Sequence, residues 1–323
     1  AKMDLIYMNT FKEDVGVILD YELDLAFGKD ENNFELCIQS EAHCCEAGFY
    51  IYIEGTEYGG IVDGIKSDTE SKEVTYLGRT WQGLLNSKVI QPDSGKAYLT
   101  VSGEANSVIS SLLSRLTLGG LFEASTDNSG LTISSYKMNR YIAAYDGIIK
   151  MLKTVNATLR FTFQNGKVIL SAVPKHDYTQ DEEFDSDQVS FRVKKNYKSV
   201  NHLICLGSGE LENRTVIHLY ADKSGNISRS QSEFGVDEYA EVYDYSAVES
   251  VDELISSGTD KLKSLWAQDE LSIDFDDSTD AYGLGDIVGA YDNITKISVA
   301  AEIVKKIVTI KNGQITISYE VGD

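Results

Sequence analysis

The sequence predicts a mainly β protein with α+β insertions. Three observations carry this. Short apolar runs recur every 8–12 residues over roughly the first hundred positions, as in a barrel or sandwich. The last forty-odd residues end in alternating runs around Asn312-Gly313, the strongest short-range hairpin signal because both turn positions need positive φ. Between these blocks lie stretches of helical periodicity.

Taken in order, Val15–Leu19, Phe34–Ile38, Phe49–Ile53, Gly60–Ile65 and Glu73–Leu77 read as strands. They lead into Gly78-Arg79-Thr80-Trp81-Gln82-Gly83-Leu84-Leu85, where Trp81 is predicted to anchor the core. The two prolines, Pro92 and Pro174, fall where the pattern changes and mark element edges. Between them Val108, Ile109, Leu112, Leu113 and Leu116 share one helical face. A second helix is predicted from an Asp146 N-cap, burying Ile148, Ile149, Leu152 and Val155. A hairpin follows, Thr158–Phe163 and Lys167–Val173 around Asn165-Gly166.

An acidic loop (Asp177, Asp181, Glu182, Glu183, Asp185, Asp187) then leads to strands at Val189–Val193, Val200–Leu206 and Thr215–Tyr220. The capping box Ser250-x-x-Glu253 opens a helix, with a break expected near Gly258. The domain reading is residues 1–97, an N-terminal β-barrel domain; 98–175, an α/β insert domain; 176–225 with 269–323, a related C-terminal β-barrel domain; and 226–268, a helix-containing insertion. Ile61-Val62-x-x-Ile65 followed by Tyr76-x-Gly78 matches Ile303-Val304-x-x-Ile307 followed by Tyr319-x-x-Gly322, so the two β-domains read as repeats.

A net charge of −22, from 51 acidic and 29 basic residues, disfavours a nucleic-acid-binding surface or an anionic membrane as partner. The N-terminus lacks a basic region followed by an apolar stretch, which predicts no secretory signal. Cys37, Cys44, Cys45 and Cys205 form no disulfide framework and read as free thiols in a reducing cytoplasm. His43-Cys44-Cys45-Glu46 and His202-x-x-Cys205 each lack the second half of a zinc ligand set. Counted from Asp274, a calcium loop would need Gly and Glu where Thr279 and Gly285 stand. Nucleophile-elbow, phosphate-loop and zinc-protease motifs are missing, and Gly207-Ser208-Gly209-Glu210 is a plain turn. The expectation is therefore no catalytic, cofactor or metal residue. Lys194-Lys195 and Lys305-Lys306 read as solvent-facing pairs, and the nineteen tyrosines suit cross-strand and subunit contacts.

Several motifs together resemble the tail-hub proteins of siphophages and their prophage relatives. They are Leu284-Gly285-Asp286-Ile287-Val288, Ile307-Val308-x-Ile310-x-Asn312-Gly313 and Ile317-x-Tyr319-x-Val321-Gly322 at the C-terminal end. The Gly78–Leu85 stretch, Ala144-Tyr145-Asp146-Gly147-Ile148-Ile149 and the strand Asn201–Gly207 complete the order. Trp81, Gly83, Gly285, Asp286, Asn312 and Gly313 are the signature positions, structural in role. Such hubs are similar to the baseplate hub of contractile phages, where two related β-barrels flank an α/β insert. Three chains there give six barrels in a pseudo-sixfold ring.

The resemblance implies a homotrimeric virion structural protein at the tail tip, assembled in the bacterial host cytoplasm. Its neighbours would be a distal-tail or tube ring and the tape-measure protein. DNA would pass at ejection without specific binding, and the chain would insert into no membrane. Two alternatives stay open: a tail-associated cell-wall hydrolase working through carboxylates, and a host-carbohydrate-binding module using exposed Trp81 or Trp266.

Overall fold

The computed structural model describes residues 3–181, 184–185, 190–266, 270–275 and 280–322. Glu182, Glu183, Asp187, Val189 and most of the Asp274–Asp280 turn lie outside them. The chain forms two compact units, one of residues 1–193 with 271–323, the other Lys194–Glu270.

In chain order the first unit opens with β1 (Leu5–Met8), β2 (Asp14–Ile18), β3 (Glu22–Gly28), β4 (Asn33–Gln39), β5 (Tyr50–Ile53), β6 (Gly59–Asp68), β7 (Glu73–Thr80) and α1 (Trp81–Asn86). The insert follows with β8 (Val89–Ile90), β9 (Thr100–Glu104), α2 (Ala105–Arg115), β10 (Phe122–Ala124), β11 (Thr132–Lys137), β12 (Ile142–Ala143), α3 (Ala144–Lys153), β13 (Ala157–Gln164) and β14 (Lys167–Pro174). Next come β15 (Phe184–Asp185) and β16 (Phe191–Lys194). The second unit holds β17 (His202–Leu206), β18 (Val216–Ala221), β19 (Ile227–Ser228), β20 (Ala240–Asp244) and α4 (Val251–Leu265). The chain then returns to the first with β21 (Glu270–Phe275), β22 (Ile287–Tyr291), β23 (Ser298–Lys311) and β24 (Gln314–Gly322).

The two β-rich ends of the chain share one sheet, 13-stranded among the described residues. Within it one connectivity occurs twice. The N-terminal half has the order β5-β6-β7-β4 and the C-terminal half β22-β23-β24-β21, with all of these neighbours antiparallel. A further strand flanks each set, β3 beside β4 and β16 beside β21.

The correspondence extends to register. Tyr50 faces Ile61 as Ile287 faces Glu302, and Ile65 faces Tyr76 as Lys306 faces Tyr319. The long strand of each hairpin is bulged at the same place, between Val62 and Gly64 and between Ile303 and Lys305. Gly48 donates to the Val62 carbonyl at 2.7 Å, and Gly285 to the Ile303 carbonyl at 2.8 Å. Both glycines need left-handed backbone, at φ +87° and +88°. Structure thus equates Val62 with Ile303, one residue away from the alignment that the apolar pattern suggests. The two repeats are fused where β3 adds to β23, Glu22–Gly28 against Lys311–Lys305.

The insert is built as its periodicity predicts. Helix α2 buries Val108, Ile109, Leu112 and Leu113. Helix α3 begins three residues earlier than expected, with Ala143 rather than Asp146 at the N-cap, so Asp146 sits in the first turn, where a carboxylate suits the positive end of the helix dipole. Both pack against the sheet β10-β14-β13 in one core with Trp81 and Leu85.

The second unit is larger than the predicted 226–268 insertion. Strand β17 pairs in parallel with β20, a long-range contact that local alternation does not encode, and this draws β17 and β18 into the unit. Ser250 caps α4 as expected, accepting from the Glu253 N–H at 3.3 Å. The helix runs through Gly258 without a break. Glycine is there for close packing, since a Cβ would stand 2.5 Å from Cys205 Sγ.

Candidate functional site

The signature residues fall in three places. The first is α1. Thr80 caps it by accepting from the Gly83 N–H at 3.3 Å, and Gly83 admits no side chain because a Cβ would lie 2.3 Å from the Asn32 carbonyl. Trp81 is fully buried, stacked on Phe163 at 5.5 Å, with Phe163 in turn on Tyr52 at 4.0 Å. It is a core anchor joining the insert hairpin to β5, and cannot serve as an exposed sugar platform. Trp266 is half-buried against the core of the second unit.

The second place is the loop before β22. Asp286, 2% exposed, accepts from Arg160 Nη2 at 2.9 Å, the His176 N–H at 3.1 Å and the Gly283 N–H at 3.0 Å. Arg160 Nη1 and Thr158 Oγ1 both donate to the Leu284 carbonyl, at 2.6 and 2.9 Å. A Cβ on Gly285 would sit 2.6 Å from Thr158 Oγ1. Gly285 and Asp286 therefore pin the insert strand β13 to the C-terminal repeat. The third place is the Asn312-Gly313 turn, at φ +52° and +71°, joining β23 to β24 as the sequence predicts.

Next to the Asp286 loop is a cluster that the sequence reading missed. Lys306 is 1% exposed, not solvent-facing. Its ammonium pairs with Glu57 at 2.7 Å and with Asp280, and lies 5.3 Å from the centre of the Tyr58 ring. The Tyr58 hydroxyl donates to the other Asp280 oxygen at 2.5 Å. Burial alone would push the Lys306 pKa down; Glu57 and Asp280 overcome it, so the net direction is up. Burial and the same two carboxylates push the Tyr58 hydroxyl up. The missed signal is parity: Lys306 is in phase with the buried Val308 and Ile310.

These groups border a shallow cavity of about 400 Å³ lined also by Arg160, His176 and Tyr178. Its charges are spent on one another, and no serine or cysteine nucleophile stands among its lining residues. Elsewhere, Cys44 and Cys45 lie side by side with their sulfurs 3.8 Å apart. A hydrogen bond from Cys45 carries the Cys44 pKa down to about 7 against the opposing effect of burial, and Cys45 moves up. The Tyr76 hydroxyl accepts from both cysteine N–H groups, at 2.9 and 3.1 Å, and meets His43 Nδ1 at 2.7 Å. In the second unit His202 bridges Glu238, at 2.5 Å, and His218, at 2.8 Å, away from Cys205. Among the described residues no three His, Cys, Asp or Glu side chains converge as metal ligands, and no helix is long and apolar enough to cross a membrane.

No protein-family model and no curated protein matches the sequence. Solved structures do match its fold over nearly the whole length. The prophage MuSo2 43 kDa tail protein of Shewanella oneidensis aligns with a TM-score of 0.59 at 12% identity, covering 98% of each chain. A tail protein of Neisseria meningitidis MC58 aligns at 0.54 and 9%, covering 99% of this chain and 96% of its own. Prophage tail protein gp18 of Listeria monocytogenes EGD-e aligns at 0.52 and 11%, covering 98% and 94%. The chain, from its duplicated sheet to its inserts, has the fold of phage tail proteins.

Proposed function

We propose that this chain is a non-enzymatic structural hub at the distal end of a phage or prophage tail. Three copies form a ring that adapts to the sixfold tail and forms or closes the DNA exit channel. One observation carries the reading: each chain holds two β-repeats of the same connectivity, register and bulge, so three chains supply six equivalent blocks. The fold shared with tail proteins supports the same role. The ring docks on a distal-tail or tube ring, and the acidic surplus keeps passing DNA from adhering.

Absolute mass by light scattering over a concentration series, followed by negative-stain averages, tests the ring. Three chains and a threefold ring with six lobes are expected; a monomer at every concentration refutes it. On zymograms of Gram-positive and Gram-negative walls the hub leaves no clearing. Clearing would favour the hydrolase reading.

A further inference from the structure

The internal repeat shows a strand contact made in one half of the chain whose counterpart in the other half is missing among the described residues. On one side β23 pairs with β24. Its other side takes β22 up to Glu302 and, past the bulge, β3 from Lys305 to Lys311. Strand β6 occupies the equivalent place in the first repeat. One side pairs with β7 and the other takes β5, but only over Gly59–Ile61. Past its bulge, Gly64–Asp68 has no strand on that side among the described residues. The strand equivalent to β3 is β16, and its own outer edge is likewise unpaired there, with β21 its one neighbour.

We infer that β16 of one copy adds to the Gly64–Asp68 edge of β6 in the next copy, repeating between chains the β3–β23 contact made within each. The inference rests on the ring reading. It is carried further by what the open edge exposes. Ile65 is 43% exposed, whereas its counterpart Lys306 is 1% exposed beneath the fully buried Phe27 of β3. Phe191 and Val193, the half-buried side of β16, are apolar residues of the kind that replaces Phe27. Exposed Arg192 is opposite in sign to exposed Asp68 and Glu70 at the end of the waiting edge, while Lys66 within it is of like sign. Such a contact is head-to-tail: each copy offers one edge and accepts another, which closes into a ring when the rotation fits.

The test uses the full chain in two forms. Ile65→Lys places a charge in the contact at a position already open to solvent; Lys306 is tolerated at the equivalent place through its pairs with Glu57 and Asp280. The mass of this variant is expected to fall threefold relative to wild type, with an unchanged circular dichroism spectrum. Separately, a photoreactive benzoylphenylalanine at position 65 is expected to cross-link between copies to the peptide holding Phe191–Lys194, located by mass spectrometry. A wild-type trimer that survives Ile65→Lys, or cross-links to a different peptide, overturns this inference and leaves the ring reading standing. A wild type that never passes monomer overturns both. Should Ile65→Lys fail to fold, the cross-link alone decides.

Discussion

Replacing Lys306 by methionine should expose how much the buried cluster holds together. Methionine keeps most of the apolar stem but removes the ammonium, leaving Glu57 and Asp280 facing one another beside Tyr58. Deleting one partner of a buried pair typically costs about 3–5 kcal/mol. Here the carboxylates keep 17% and 33% side-chain exposure, so water relieves part of the penalty. The expected loss is roughly 2–4 kcal/mol, or a Tm lowered by roughly 5–15 °C for a unit of this size. Calorimetry is the assay, read on the transition of the larger unit. The triple variant Lys306→Met, Glu57→Gln, Asp280→Asn removes the stranded charges and should recover at least half of the loss. The sign with pH follows from the raised Lys306 pKa. Its stabilisation is full below the ordinary lysine value of about 10.4 and fades as pH rises through the higher folded value. The gap between wild type and variant should therefore hold constant from neutral pH upward and close only above pH ~10.5. A loss under ~0.5 kcal/mol, or a triple variant no better than the single, would refute the reasoning.

Two further outcomes are expected. Gly285→Ala forces a side chain into left-handed backbone and against Thr158, and should cost about 2–4 kcal/mol in thermal unfolding; a loss under ~1 kcal/mol would mean that the loop shifts freely. Cys44 should react with iodoacetamide with a midpoint near pH 7, while buried Cys45 and Cys205 stay unlabelled until the chain unfolds. Peptide mapping by mass spectrometry reads all three, and a Cys44 midpoint above ~8.5 would contradict the hydrogen bond from its neighbour.

Features written in adjacent residues were legible in the sequence. Asn312-Gly313, Asn165-Gly166, the Ser250 cap and the apolar face of α2 each act within a few positions and appear where expected. Pairings between distant segments were not. Nothing local distinguishes His202–Leu206 as a partner of Ala240–Asp244 from the same strand in the main sheet, so local patterns alone assign too few residues to the second unit. The repeat was visible in paired tyrosines and apolar residues but slipped by one, because two adjacent apolar residues at each bulge allow either alignment. Lys306 was missed for a different reason: a charge in a strand usually marks the wet face, and only its distant partners Glu57 and Asp280 make burial tolerable.

The loop between β3 and β4 spans only Lys29–Asn32, whereas at the corresponding point between β16 and β21 the chain accommodates nearly all of the second unit. The same junction thus exists in a bare and a loaded version within a single gene product. Extending a loop costs little entropy once its ends are fixed by a sheet. The bare Lys29–Asn32 junction is therefore a natural graft point: a module installed there would double the number of appended bodies per chain.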